Sequence, residues 1–204
     1  MNAQEFAEMA AKYAGTITEI RESAHNLHND VGQTYDDKLP YGYHLDMVAD
    51  GVYRFGYAVC VDERHIVPLF FGAFYHDSIE DARLTYNDVV RTARRWMSDD
   101  LAIMAAEMVY ALTNEKGRTR AERANDKYYH GIRTTPYAPF LKLSDRLANI
   151  TYSCSHRGEG CCLMKEVYLS ELPHFLQAIR SDNADISYSL PPEMIDELKE
   201  IIKC

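Results

Sequence analysis

The sequence predicts an all-α fold. Apolar residues recur at helical spacing along almost the whole chain, alternating strand-like runs are scarce, and helix-starting residues precede many of the periodic segments. Residues 3–13 read as a first helix. Thr16 and Thr18 are candidate caps for a second, running to about Asn29. Asp30 to Pro40 is polar and turn-rich and reads as a loop. Tyr41 to Ala58 forms a third helix, weakened by Gly51 and Gly56. Residues 66–80 form a fourth, which closes in an acidic cluster.

Thr85-Tyr86-Asn87-Asp88 is a helix start, with Thr85 as cap and Asp88 in the capping-box position. Ser98-Asp99-Asp100 opens a helix through Ala111, and Thr113 to Gly117 breaks it. Residues 119–131 are helix-compatible and strongly charged. Thr134-Thr135-Pro136 begins a helix through about Tyr152, with Pro136 at a tolerated first-turn position. Arg157-Gly158-Glu159-Gly160 is a turn, followed by a helix to about Arg180. Pro191-Pro192 opens the last helix, to Lys203.

At 204 residues the chain suffices for one well-buried core and is short for two domains, so a single domain over 1–204 is expected. The net charge of -9 argues against a nucleic-acid-coating surface, which needs a basic stripe. It leaves room for an anionic small substrate, because a metal and a few local cations override the mean field. Met1-Asn2-Ala3-Gln4-Glu5-Phe6 lacks the basic start and apolar stretch of a signal peptide. The longest apolar run, residues 66–75, is half of what a membrane helix needs. The expectation is a cytoplasmic protein with no membrane partner. Cys60, Cys154, Cys161, Cys162 and Cys204 are an odd count without a regular framework, and reduced thiols are the default there.

The chemistry is concentrated in His76-Asp77-Ser78-Ile79-Glu80-Asp81. Six residues hold an imidazole and three carboxylates directly after the apolar run. Such charge beside a buried segment is costly unless compensated, and a divalent cation is the usual compensator. If the segment is helical, Asp77 and Asp81 lie one turn apart on one face, with His76 and Glu80 paired on the adjoining one. Like charges one turn apart repel. A site that uses His76 and Asp77 as ligands, and the next turn's acids on substrate or water, explains the arrangement.

Two more ligands are available. His44 sits on the otherwise apolar helix Tyr41-Gly42-Tyr43-His44-Leu45-Asp46-Met47-Val48-Ala49. Asp145 lies in Leu141-Lys142-Leu143-Ser144-Asp145-Arg146-Leu147-Ala148-Asn149-Ile150, where Lys142, Asp145 and Asn149 share one face. Three helices can thus supply two histidines and two aspartates. Mixed imidazole and carboxylate ligation suits Mn, Fe or Zn and leaves positions open for water and substrate.

The order His, His-Asp, Asp resembles that of the HD-domain phosphohydrolase superfamily, an all-α metal-dependent group acting on phosphate esters. Within it, the segments His76 to Val89 and Leu141 to Ile150 look like those of the alarmone hydrolases, the Rel/Spo homologues and small alarmone hydrolases that cleave (p)ppGpp. Pro40-Tyr41-Gly42-Tyr43-His44 followed by Val48-Ala49 resembles the first motif of that group. The resemblance covers roughly residues 20–155, with C-terminal helices over 160–204 beyond it. It implies an HD-type helical bundle with a metal site between helices. It also implies His44, His76, Asp77 and Asp145 as ligands, with manganese as the ion. Glu80 and Asp81 would position and deprotonate the attacking water. Asn149 would contact the nucleotide.

One departure bears on substrate. Alarmone hydrolases carry an Arg-Lys pair shortly before the first motif, contacting base and phosphate. Counted back from Pro40, that pair is Tyr35-Asp36 here. Tyr35 can stack on a base, whereas Asp36 does not attract phosphate. Three functions are therefore weighed: hydrolysis of the 3′-pyrophosphate of (p)ppGpp or a related nucleotide, an HD-type nucleotidase acting on another nucleotide such as a dNMP or dNTP, and a non-catalytic nucleotide- or partner-binding module. In each the partner is a small molecule or protein, not a nucleic acid; the oligomeric state is open.

Several residues have structural readings beside the functional ones. Lys142 is a candidate substrate contact, yet it and Asn149 equally suit capping or pairing with neighbouring helices. Arg146 reads as an ion-pair partner, and Arg120, Arg123 and their charged neighbours as a solvated helix face. His25 and His28 read as surface helix histidines, although extra histidines occur in two-metal HD enzymes. Cys154, His156, Cys161 and Cys162 fit no standard structural zinc spacing. Tyr128-Tyr129, Tyr41 and Tyr43 suit either a base pocket or packing.

Overall fold

Asn2 caps the first helix, α1 (Ala3–Lys12), in a capping box closed by Glu5. The computed structural model describes residues 1–156 and 159–203, without the side chains of 159–163. The second helix, α2 (Ala14–Asp30), follows at once from Tyr13 and uses neither threonine as its cap. Thr18 instead donates to the Ala14 carbonyl at 2.8 Å within the helix. The buried face of Ile17, Ile20, Ala24 and His28 sets where this helix lies.

The 30–40 segment is not wholly loop. It holds a short antiparallel hairpin, β1 (Thr34–Tyr35) on β2 (Leu39–Pro40), with Tyr35 opposite Leu39. Its turn runs through Asp36 and Asp37 at φ 54° and 56°, a left-handed conformation that aspartate accepts more readily than most residues. Helix α3 (Gly42–Phe55) follows, ended by a 3-10 turn at Gly56–Ala58. Helix α4 (Ile66–Tyr75) is buried at every position.

The expected helix over 66–80 is corrected here, because α4 stops at Tyr75 and residues 76–81 form successive turns. A fully buried cylinder has no face on which to place four ionisable groups, so the chain leaves it where they begin. One helical turn survives, the Asp81 amide donating to the Asp77 carbonyl at 2.8 Å. The relation of Asp77 to Asp81 inferred from helical spacing therefore holds locally.

Helix α5 (Tyr86–Ala93) has the expected Thr85–Asp88 capping box, and α6 (Asp99–Leu112) follows Ser98. The charged segment expected as one helix divides into α7 (Arg120–Arg123) and α8 (Asp126–Thr134), because Asn125 caps a new start by accepting from the Tyr128 amide. Helix α9 (Ala138–Ser155) begins later than Thr134-Thr135-Pro136 implies, after Tyr137 at φ 65°, and Pro139 occupies the first-turn position expected of Pro136. Glu159 and Gly160 belong to α10 (Glu159–Ala178) rather than to a turn, while Arg157 and Gly158 lie outside the described residues. Helix α11 (Pro192–Lys203) closes the chain as expected.

Helix α9 packs against α3, α6, α8, α10 and α11, and α4 packs against α2, α3 and α6. Two glycines let these elements approach closely. A Cβ on Gly51 would stand 3.0 Å from the Ser144 side chain of α9, and one on Gly72 would stand 2.7 Å from Leu141 Cδ1. The helix-weakening Gly51 thus draws the helix of His44 onto the helix of Asp145. One apolar cluster runs from Phe6 to Ile202. Among the described residues no helix is long and apolar enough to cross a membrane.

Candidate metal centre

Helix α3 presents His44, the end of α4 presents His76, and α9 presents Asp145, from the three separate elements that the sequence implied. One ligand atom from each lies within 4.8 Å of the other two, a group able to hold a metal ion. His44 Nε2 lies 3.2 Å from His76 Nε2 and 3.4 Å from Asp145 Oδ1. Both histidines are buried. His76 Nδ1 donates to the Ala73 carbonyl at 2.8 Å, which fixes the tautomer and leaves Nε2 bare toward the cluster. His44 Nδ1 is buried without an acceptor among the described residues.

Asp77 is less central than its neighbours. Its Oδ2 is 2.8 Å from His76 Nε2 and 3.6 Å from His44 Nε2, but it falls outside the three-residue group. Tyr41 donates its hydroxyl to the same oxygen. Asp145 is held from both sides: Lys142 Nζ donates to Oδ2 at 2.8 Å, and Asn149 Nδ2 donates to Oδ1 at 2.6 Å. Lys142 and Asn149 thus take the structural reading of pairing, each orienting a candidate ligand, and both also line the cavity above it.

The electrostatics fit a cation. Burial, the largest influence on Asp145, favours its neutral form, yet Lys142 and the two histidines outweigh it and hold the carboxyl far below the usual range. Burial likewise opposes charge on His44, but Asp145 and Asp77 prevail and lift the imidazole to about 9. A cluster that draws a proton so strongly onto a fully buried histidine is one whose carboxylates call for positive charge at their centre. Asp81 behaves differently: burial and then the charge of Asp77 push it up to about 6. Glu80 is exposed, with its carboxylate accepting from Asn114 Nδ2 at 2.9 and 3.1 Å.

A cavity of about 810 Å³ opens onto the cluster, and His44, Asp77, Glu80, Asp81, Lys142 and Asn149 lie in its walls. Tyr35 forms part of another wall, its ring stacked on His44 at 4.9 Å and its hydroxyl donating to Asn149 Oδ1 at 3.0 Å. Beside it, Asp36 accepts from the Tyr152 hydroxyl at 2.9 Å.

One assignment changes, that of His28, and others acquire partners. Arg120 is exposed, as a solvated helix face implies, but it also lines the cavity and pairs with Glu171. Arg146 is the ion-pair partner expected, again of Glu171, and it also lines the cavity. His28 is fully buried rather than at the surface, and His25 pairs with Asp46 at 2.9 Å. The side chains of Cys161 and Cys162 lie outside the described residues, so the zinc reading has no geometry to meet. Sequence reasoning missed Asn114 and Glu171 altogether. Neither belongs to a motif, and only the folded chain brings them to the cavity. Compared with known proteins, the chain matches no family model and no curated protein.

Proposed function

We propose that the protein is a divalent-metal-dependent nucleotide phosphohydrolase of the HD type that removes the 3′-pyrophosphate of (p)ppGpp or a related nucleotide. The observation that carries this reading is the shared placement of the His44, His76 and Asp145 group and the Glu80–Asp81 pair on one nucleotide-sized cavity. With Asp77 at its edge, the group would hold the ion, manganese in this reading, which supplies Lewis-acid polarisation of a phosphoryl oxygen and acidifies water. Glu80 and Asp81 take the proton of the attacking water as its oxygen bonds to phosphorus. The ester bond to the 3′ oxygen opens, pyrophosphate leaves, and the 3′ oxygen regains a proton. Tyr35 offers a ring for base stacking, and Asn149 and Lys142 orient Asp145 beneath the substrate.

A second reading keeps the chemistry and changes the substrate to another nucleotide. It is favoured by Tyr35 and Asp36, which put a neutral ring and a carboxylate where the alarmone hydrolases carry two cations. Purified protein with Mn²⁺ is incubated with ppGpp, dNMPs, dNTPs and cyclic dinucleotides. Release of pyrophosphate from ppGpp supports the first reading, and selective turnover of another nucleotide supports the second. No turnover by metal-loaded protein would leave a nucleotide- or partner-binding module.

A further inference from the structure

One cation of the cavity, Lys142, is bonded to the metal group, while others stand on a separate element. Arg120 and Arg123 come from α7, and Glu171 comes from α10, two elements that contribute nothing to the candidate ligands. Arg120 meets Glu171 in a two-pronged pair, Nε to Oε1 at 2.8 Å and Nη2 to Oε2 at 3.0 Å. Arg146 Nη1 donates to the same Oε2 at 3.0 Å, so two guanidinium groups share one carboxylate. The Arg146 side chain is only 7% exposed and lies against the rings of Tyr168 at 4.8 Å and Phe175 at 4.1 Å. It is a fixed cation. Arg120 is about half exposed, and Arg123 has no ion-pair partner among the described residues.

Guanidinium binds carboxylate and phosphate through the same parallel pair of hydrogen bonds. Glu171 therefore occupies Arg120 in the geometry that a phosphate group would use. Glu171 answers both Arg120 and Arg146. With Asp126, the lining sets two carboxylates against the three arginines Arg120, Arg123 and Arg146, which leaves positive charge uncancelled here, whereas Asp77, Glu80 and Asp81 make the other part acidic. We propose that Arg120, with Arg123, forms an anion subsite for a phosphate group of the nucleotide other than the one hydrolysed, and that Glu171 is the internal carboxylate which that phosphate displaces. This rests on the nucleotide reading of the cavity. It selects nucleotides that carry two separate phosphate groups, with recognition coming from α7 and α10 and not from the Tyr35–Asp36 hairpin. Arg146, stacked in place, would keep Glu171 when Arg120 lets go, so the exchange leaves no carboxylate unpaired.

The test is the binding of guanosine 3′,5′-bisphosphate and of guanosine 3′-monophosphate to the full chain, by calorimetry with metal withheld so that turnover cannot interfere. The wild-type protein should prefer the bisphosphate by about tenfold, the worth of one charge-assisted interaction of roughly 1.4 kcal/mol. R120A should bring that ratio close to one, and E171Q, which removes the competing charge, should widen it. A wild-type ratio of one, a ratio unmoved by R120A, or a ratio narrowed by E171Q each overturns the subsite. Hydrolysis is scored separately with Mn²⁺. A ratio that depends on Arg120 without turnover of any nucleotide keeps the subsite and sinks the hydrolase; turnover with a ratio indifferent to Arg120 does the reverse.

Discussion

His44 and His76 aim their Nε2 atoms at each other across 3.2 Å, and His76 is held in that pose by its Nδ1 bond to Ala73. Two buried imidazole nitrogens at that separation need either a shared proton or a shared cation. Asp145, 3.4 Å from one and 3.9 Å from the other, makes the cation the better occupant, since its charge then has a partner on each side.

Metal content follows from this. The Asp145→Ala variant should lose stoichiometric Mn²⁺ after dialysis, read by elemental analysis, and should lose the rise in melting temperature that Mn²⁺ gives the wild-type protein. It should also unfold more easily, by about 3 kcal/mol, because Lys142 is left largely buried without its carboxylate. An Asp145→Ala protein that keeps one ion per chain would remove Asp145 from the ligand set. Asp77→Ala should lower Mn²⁺ affinity by less, as Asp77 stands outside the tight group.

Most of the helices and the candidate metal group of His44, His76 and Asp145 were legible in the sequence, because both are written in short-range terms. Capping boxes at Thr85 and the apolar run before His76 need only neighbouring residues to be read. The end of α4 was not legible, since helical spacing continues through Asp81 and only full burial of the cylinder decides that the acids must leave it. Glu171 and Asn114 were invisible for a different reason. Each acts through a partner far away in sequence, Arg120 and Glu80 respectively, and nothing local marks such a pairing. His28 looked like a surface residue because its neighbours Asn26 and Asn29 are polar, but it shares a face with Ile17, Ile20 and Ala24.

In the proposed hydrolysis the base is separable from the metal. Glu80→Gln should keep Mn²⁺ stoichiometry and lose turnover by about 10²–10⁴-fold, the usual worth of a positioned proton acceptor. Asn114 donates two of the hydrogen bonds that hold the Glu80 carboxylate, so Asn114→Ala should lower kcat by roughly tenfold with little change in KM. A fully active Glu80→Gln would pass the role to Asp81 alone.

Asp81 makes a prediction in pH. Burial and the charge of Asp77 raise it to about 6, above the ordinary carboxyl value, so ionising it costs the folded state and not the unfolded one. That cost is absent below pH 4, grows between pH 4 and 6, and is complete above pH 6. Asp81→Asn in the metal-free protein should therefore gain stability over wild type as pH rises through that window. The gain should reach about 1–2 kcal/mol, below the ~3 kcal/mol of two pKa units because the side chain is partly solvated. Urea unfolding at pH 4 and pH 7 checks it, and a gain that does not grow with pH would contradict the environment assigned to Asp81.

His28 behaves in the opposite sense. It is fully buried, neither ring nitrogen has a partner among the described residues, and its ring stacks on Tyr41 with centroids 4.6 Å apart. Burial lowers its pKa to about 4, so the folded protein binds its proton less readily than the unfolded chain does. Stability from this group is complete above pH 6.5 and is lost as pH falls toward 4. His28→Phe keeps a flat ring against Tyr41 and removes two unsatisfied nitrogens. It should raise stability at pH 8 by about 1–3 kcal/mol, the worth of relieving buried polar atoms. At pH 5 the gain should be larger by a further ~2 kcal/mol, because the wild-type protein alone then meets the cost of excluding a proton. Denaturation of both proteins at the two pH values measures the difference. A gain equal at pH 5 and pH 8 would mean that His28 carries its proton in the fold, and the stack on Tyr41 would then be one between a cation and a ring.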